Sequence, residues 1–210
     1  MAAEFRRLGA VVIDADRLAH EALELESVRK GIAARFGPDT IGPDGSIDRA
    51  ALGRQAFASR EAMSDLEAIV HPVVLEAIER RLERAATDPE IGLAVLDAPL
   101  LIETGLDRAC NRIAFVDAPF ESRLERVKQS REWDLAELER REKLQKPLKE
   151  KKRRADFTIG NDRPTRSLQA SVQEIWNEIA RPAARHAPSR SPHSSPLADP
   201  EPLGPAEGIE

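Results

Sequence analysis

Cysteine is almost absent from this sequence of 210 residues, in which Cys110 is the only one. One thiol cannot form an internal disulfide, and it leaves no cysteine cluster for zinc. Long hydrophobic runs are missing too: none approaches the roughly 20 apolar residues of a membrane helix. The N-terminal MAAEFRRLGA carries charge, but no apolar signal-peptide core follows it. These absences predict a soluble protein of a reducing compartment, located in the cytoplasm and without a membrane partner.

Positive charge is not in excess either. The chain has 32 Lys and Arg against 37 Asp and Glu, for a net charge of −5. General nucleic-acid binders are normally strongly basic, so this balance argues against a nucleic-acid partner. Hydrophobic residues make up 41 % of the chain, as in an ordinary soluble protein. The length is sufficient for one mid-sized domain with a substantial core.

The composition changes at Arg181, beyond which seven prolines lie between Pro182 and Pro205 among Ser, Ala and charged residues. Proline at this density disfavours helix, and little apolar surface remains to be buried. We therefore expect residues 1–180 to form the functional domain and residues 181–210 to form a disordered Pro/Ser-rich tail. A short docking motif inside the tail is the alternative to a tail without function.

Short β-branched or apolar runs alternate with helical patterns through residues 1–180, and Asp48 is placed to cap a helix that begins at Arg49. Residues 60–86 have a helical pattern that we expect to be interrupted at Pro72, by a kink or by the first turn of a new helix. This alternation predicts an α/β fold, in which a parallel sheet is flanked by helices. The predicted strands are Val11–Ile13, Leu93–Leu96, Ile113–Val116 and Phe157–Ile159.

An aspartate follows each of the first three predicted strands, namely Asp14, Asp97 and Asp117. In parallel sheets ligands bind beyond the carboxyl ends of the strands. Asp14 and Asp16 share one strand-to-helix turn, where one of them is enough to cap the helix and the other is the better functional candidate. Asp97, with Glu103 close behind it, is placed to hold Mg²⁺ through water, or simply to end a strand before Pro99.

A densely charged stretch runs from Arg140 to Arg154, downstream of Arg126. It is either a solvated face or a mobile lid that brings Arg and Lys side chains onto phosphate oxygens. His71, before Pro72, is either structural or a ligand-binding residue.

In their order along the chain, these landmarks resemble the dephospho-CoA kinase family. The matching stretches are RRLGAVVIDADRLAHEAL, ARFGPDTIGPDGSIDRAALGRQAF, IVHPVV, LAVLDAPLLIETGL, FVDAPFESRLERV and QKPLKEKKRRADFTIGND. The resemblance implies a P-loop kinase fold with a helical substrate-binding insertion and a lid. It also implies transfer of a phosphoryl group from ATP to the ribose 3′-hydroxyl of dephospho-CoA, with Mg²⁺.

The resemblance also implies roles for individual residues. Asp16 matches the carboxylate that accepts the hydroxyl proton, and Arg126 matches an arginine that contacts nucleotide phosphates. Asn161 closes the segment near the ATP base. The positions around the acceptor substrate are Asp14, His71, Pro99, Leu100 and Leu101.

One family hallmark is missing from the 210 residues, namely a first strand followed by a phosphate loop of the type GxxxxGK[ST]. The opening MAAEFRRLG matches the helix after that loop, so we expect an N-terminal truncation of roughly 15 residues. Because the loop cradles the β-phosphate and neutralises charge, we expect this chain to be inactive or very feeble as a kinase. One alternative is a catalytically silent relative that binds only a CoA-like ligand or a partner protein, and another is a kinase of the same fold that acts on another small phosphorylated acceptor.

Overall fold

The computed structural model describes residues 1–131, 133–162 and 165–180, so the predicted tail 181–210 lies outside the described residues. The described chain divides into two compact units. One is formed by Val12–Ala98, and the other combines Met1–Val11 with the described residues from Pro99 onward. We call them the inner-segment unit and the terminal unit, after the parts of the chain that build them.

The inner-segment unit is mostly helical, and three of its four α-helices begin at a residue whose side chain caps the helix. The Asp48 carboxylate accepts hydrogen bonds of 2.9 Å from the backbone N–H groups of Ala50 and Ala51, as predicted. Ser59 caps the next helix through the Ala62 N–H. The elements in chain order are β1 (Val11–Asp14), α1 (Ala15–Ala22), α2 (Glu26–Phe36), α3 (Arg49–Ala56), α4 (Arg60–Thr87) and β2 (Ala94–Asp97).

Helix α4 differs from the prediction, because it continues through Pro72 without interruption. Proline removes one backbone hydrogen bond from a helix interior. Val70, Val74 and Ile78 lie on both sides of Pro72 and are buried, and α4 packs against α1 and α2. Burial of this apolar face offsets the lost bond, so the prediction of a new helix start at Pro72 was wrong, whereas a kink there stays a prediction.

The terminal unit contains the second pair of strands. β3 (Ala114–Asp117) pairs in parallel with β4 (Phe157–Gly160), with Ala114 opposite Phe157 and Asp117 opposite Gly160. Ile159 of β4 is completely buried, and Val172 and Ile175 of the last helix are also buried. One helix of this unit, α5 (Ala2–Arg7), precedes β1 in the chain. The others follow β3 and are α6 (Phe120–Arg131), α7 (Leu135–Lys143), α8 (Leu148–Arg154) and α9 (Thr165–Ile179).

The strands confirm the α/β class but are arranged more simply than the sequence predicts. All four predicted strands are present, and in the described part of the chain they form two two-stranded sheets, β1–β2 and β3–β4. The residues of β2 and β3 are only partly buried, although both sequences are typical of strands covered on both faces. Each of the four strands has only one hydrogen-bonded neighbour among the described residues. None of the described helices is long and apolar enough to cross a membrane.

Candidate active site

The first candidate cluster lies at the paired strands β1 and β2 of the inner-segment unit. Asp14 is the last residue of β1, and Asp97 is the last residue of β2. Burial raises the pKa of the Asp97 carboxyl above its ordinary value, and the negative charges of Asp14 and Asp16 raise it further. The structure therefore brings the three predicted carboxylates into one electrostatic cluster.

The two aspartates of the strand-to-helix turn have different positions. The Asp14 Oδ1 atom accepts a hydrogen bond of 2.9 Å from the Arg17 N–H and caps α1. Asp16 lies in the first turn of α1 and is not needed for the cap. Because Asp14 alone satisfies the helix end, capping does not account for Asp16, and its role as a proton acceptor stays a prediction.

The fit of this cluster to a divalent cation depends on how the cation is held. Within residues 1–131, 133–162 and 165–180, no three His, Cys, Asp or Glu side chains are grouped closely enough to hold a metal ion themselves. Mg²⁺, however, usually keeps several waters and needs only one or two protein carboxylates when it is bound with a nucleotide. Asp97 and its acidic neighbours fit that second kind of site, in which Mg²⁺ is held through water.

Replacing Asp97 by asparagine is expected to stabilise the protein at pH 7. The pKa of Asp97 is higher in the folded chain than in the unfolded chain, so the ionised carboxylate opposes folding. The gain in stability should disappear as the pH falls below about 3.9, because the Asp97 carboxyl is then protonated in both the folded and the unfolded chain. Thermal unfolding of Asp97→Asn and the unmodified chain across this pH range tests the sign. A lower melting temperature for Asp97→Asn at pH 7 would contradict it.

The second candidate cluster lies at the ends of β3 and β4 in the terminal unit. The exposed Arg126 of α6 donates from Nη2 to the Asn161 carbonyl oxygen at 2.7 Å and to Asn161 Oδ1 at 3.3 Å. The Asn161 N–H in turn donates to the carbonyl oxygen of Asp117 at 2.7 Å. The structure therefore brings together the predicted phosphate-contacting arginine and the residue predicted near the ATP base. A guanidinium has five N–H donors, so Arg126 retains donors for phosphate oxygens.

The charged stretch from Arg140 to Arg154 forms α7 and α8. On α7, Arg140 and Arg141 both form ion pairs with Glu137, at 2.7 and 2.6 Å. On α8, Lys152 Nζ lies 2.6 Å from Asp117 Oδ2, at the end of β3. Much of this charge is thus matched within the terminal unit, and closure of a lid onto phosphate stays a prediction.

The residues predicted around the acceptor substrate belong to different parts of the chain. His71 lies inside α4 of the inner-segment unit, not before a helix start as the sequence suggested. Pro99, Leu100 and Leu101 form a turn after β2 and belong to the terminal unit, where Leu100 is exposed.

Glu103 has a partner that sequence reasoning missed. Its carboxylate pairs with Lys151 of α8 at 2.7 Å, and both side chains are buried. The sequence singled out Glu103 only because it closely follows Asp97. In the sequence, Lys151 is one of several basic residues of α8, and this pattern does not show which of them is buried.

Comparison with known proteins gives a consistent result over most of the chain. The family model for dephospho-CoA kinase matches residues 1–167. The dephospho-CoA kinase of Geobacter sulfurreducens is 39 % identical over 171 residues, which cover 81 % of this chain and 86 % of the relative. That of Moorella thermoacetica is 35 % identical over 175 residues, which cover 83 % and 82 %.

Two solved structures share the fold. The crystal structure of TT1252 from Thermus thermophilus has a TM-score of 0.70 and 32 % identity, and the match covers 85 % of this chain and 89 % of that one. The dephospho-CoA kinase from Campylobacter jejuni has a TM-score of 0.62 and 25 % identity, with coverage of 85 % and 91 %. These likenesses agree with a P-loop kinase fold. Given the family match and the identities to its curated members, this chain belongs to the dephospho-CoA kinase family.

Proposed function

We propose that this chain takes part in the last step of CoA biosynthesis, the ATP-dependent phosphorylation of dephospho-CoA on its ribose 3′-hydroxyl. The observation that carries the proposal is the acidic turn at the end of β1. There Asp14 caps the helix and Asp16 lies in the first helical turn, at the position of the proposed proton acceptor, in a chain whose family is shown over residues 1–167. The predicted cytoplasmic location is part of this proposal.

In the proposed reaction, a carboxylate oxygen of Asp16 accepts the proton of the 3′-hydroxyl while the hydroxyl oxygen attacks the γ-phosphorus of ATP. The bond from the γ-phosphorus to its bridging oxygen breaks, and ADP leaves with that electron pair. A carboxylate suits this task because its oxygens can accept a proton from a hydroxyl that lies within hydrogen-bond reach.

The other site residues are proposed to neutralise the charge of the nucleotide phosphates and to hold dephospho-CoA. Arg126, at the end of β4 through its bonds to Asn161, is proposed to contact phosphate oxygens, for which a planar guanidinium is well suited. Asp97 is proposed to hold Mg²⁺ through water, and bound Mg²⁺ would neutralise charge on the nucleotide phosphates. His71, Pro99, Leu100 and Leu101 are proposed to surround dephospho-CoA.

A second candidate function is a silent relative that binds a CoA-like ligand without phosphorylating it. Such a protein would bind dephospho-CoA but would not form CoA, with or without a phosphate loop supplied.

An assay of acceptor choice tests the proposed function against both a silent relative and a kinase of another small acceptor. It uses a loop-extended chain, defined as the 210 residues preceded by a strand of about five residues and a GxxxxGK[ST] loop. With ATP and Mg²⁺, we expect dephospho-CoA to be converted to CoA at least tenfold faster than any nucleoside monophosphate is phosphorylated. Products are identified by mass spectrometry. Phosphorylation of a nucleoside monophosphate at the same rate or faster would contradict the proposed substrate.

A further inference from the structure

A buried ion pair connects the turn after β2 to α8 within the terminal unit. Glu103 Oε1 lies 2.7 Å from Lys151 Nζ, and the two side chains are only 5 % and 10 % exposed. Lysine is rarely buried to this degree unless it is paired. The pair has no place in the reaction proposed above, so its position needs another explanation.

The Lys151 ammonium has two further acceptors. It donates to Gln145 Oε1 at 2.8 Å and to the carbonyl oxygen of Pro99 at 3.2 Å. An ammonium has three N–H donors, so these two acceptors and Glu103 can use all of them. Two of the three acceptors are side chains that anchor the ammonium. The third is a main-chain carbonyl of the turn that we propose to surround dephospho-CoA.

Glu103 is held less completely than Lys151. Its Oε1 atom also accepts a hydrogen bond of 2.9 Å from the Lys146 N–H, which fixes the connection between α7 and α8. Its Oε2 atom is buried and has no hydrogen-bond partner in the part of the chain that the structure describes. An unsatisfied buried carboxylate oxygen disfavours folding. Well-packed apolar residues often replace a buried ion pair without loss of stability, so stability alone does not account for this pair.

We propose that Lys151 is a positioning residue for the acceptor segment Pro99–Leu101. Anchored by Glu103 and Gln145, its ammonium holds the Pro99 carbonyl and thereby fixes the main chain of this segment relative to α8. Lys151 itself does not contact the substrate. The inference rests on the proposed function only in taking Pro99–Leu101 as the segment that contacts dephospho-CoA.

The test uses the 210-residue chain and a double variant, Glu103→Gln with Lys151→Met. Replacing Lys151 alone would leave a buried, unpaired carboxylate and could unfold the chain. In the double variant the glutamine oxygen still accepts from the Lys146 N–H, and no charge is left buried without a partner. The matched control is Lys149→Met, which removes an exposed lysine from the same helix.

Amide hydrogen exchange measures how firmly the main chain of the turn after β2 is held. The turn is closed by the Thr104 N–H to the Leu100 carbonyl at 3.0 Å and by the Asp107 N–H to the Leu101 carbonyl at 3.2 Å. We expect exchange of residues 100–107 to be at least tenfold faster in the double variant, while β3 and β4 exchange as before and Lys149→Met has no effect. Unchanged exchange in residues 100–107, or equally faster exchange throughout the chain, would overturn the proposal.

Calorimetric titration with dephospho-CoA then tests the link to the substrate. We expect the dissociation constant to rise at least tenfold in the double variant and to stay unchanged in Lys149→Met. If the unmodified chain and the double variant bind with equal affinity, the role of Lys151 in substrate binding is overturned. If the unmodified chain does not bind dephospho-CoA, the proposed function fails, and hydrogen exchange still decides whether Lys151 holds the segment.

Discussion

The loop-extended chain is expected to form CoA at least about 10²–10³-fold faster than the 210 residues alone. Removal of one preorganised donor that stabilises transition-state charge lowers a rate by about this factor, and a phosphate loop supplies several such donors. Its backbone N–H groups cradle the β-phosphate, its lysine neutralises charge on the β and γ groups, and its Ser or Thr binds Mg²⁺. Initial rates at saturating ATP and dephospho-CoA measure the difference.

The structure also leads us to expect that the added strand stabilises the folded chain. Each described strand has one hydrogen-bonded neighbour, so both two-stranded sheets have edges with unpaired backbone groups. Two-stranded sheets are only marginally stable. A strand that pairs with such an edge should raise the melting temperature as well as the rate.

The control for the extension is the same added segment with the loop lysine replaced by alanine. This control should keep the gain in melting temperature and lose most of the gain in rate. Equal rates of CoA formation by the 210-residue chain and the loop-extended chain would contradict the prediction.

Asp16→Asn in the loop-extended chain is expected to lower kcat by about 10²–10⁴, the usual contribution of a positioned general base. The asparagine has nearly the same shape but cannot accept the proton of the 3′-hydroxyl. The KM for dephospho-CoA should change much less than kcat, because the lost interaction belongs to the transition state. Steady-state kinetics separate the two parameters.

Two neighbouring carboxylates serve as comparisons for Asp16→Asn. Asparagine caps helices as well as aspartate does, so Asp14→Asn should keep the bond to the Arg17 N–H and reduce kcat much less than Asp16→Asn. Asp39→Asn changes an exposed carboxylate in the same unit and should leave kcat unchanged. Equal losses of kcat in the Asp14 and Asp16 variants would show that Asp16 has no special role as proton acceptor.

Features that depend on a few consecutive residues were predictable from the sequence. Asp48 caps the helix that begins at Arg49, and all four predicted strands are present. In the acidic turn, the sequence showed that one aspartate is sufficient for the cap, and the structure assigns the cap to Asp14. Such features follow from local hydrogen bonding and apolar patterning, which a short stretch of sequence contains.

Features that depend on distant residues were not predictable. The packing of α4 that overrides Pro72 involves α1 and α2, which lie earlier in the chain. The pairing of Glu103 with Lys151 joins a turn to a helix that lies beyond both β3 and α6. In the sequence, Lys151 is one of several basic residues of α8, and only the folded chain distinguishes it as buried.

The Glu103–Lys151 pair also limits the order in which this chain can change during evolution. Loss of one partner of a buried ion pair costs about 3–5 kcal/mol, and a whole domain is stable by only about 5–15 kcal/mol. Lineages that replace Lys151 first would therefore pass through a chain that has lost a substantial part of its stability. Replacement of Glu103 by Gln is the easier first step, because the amide oxygen keeps the bond to the Lys146 N–H and the Lys151 ammonium keeps Gln145 and the Pro99 carbonyl as acceptors. The two positions are thus expected to diverge together, with the change at position 103 preceding the change at position 151.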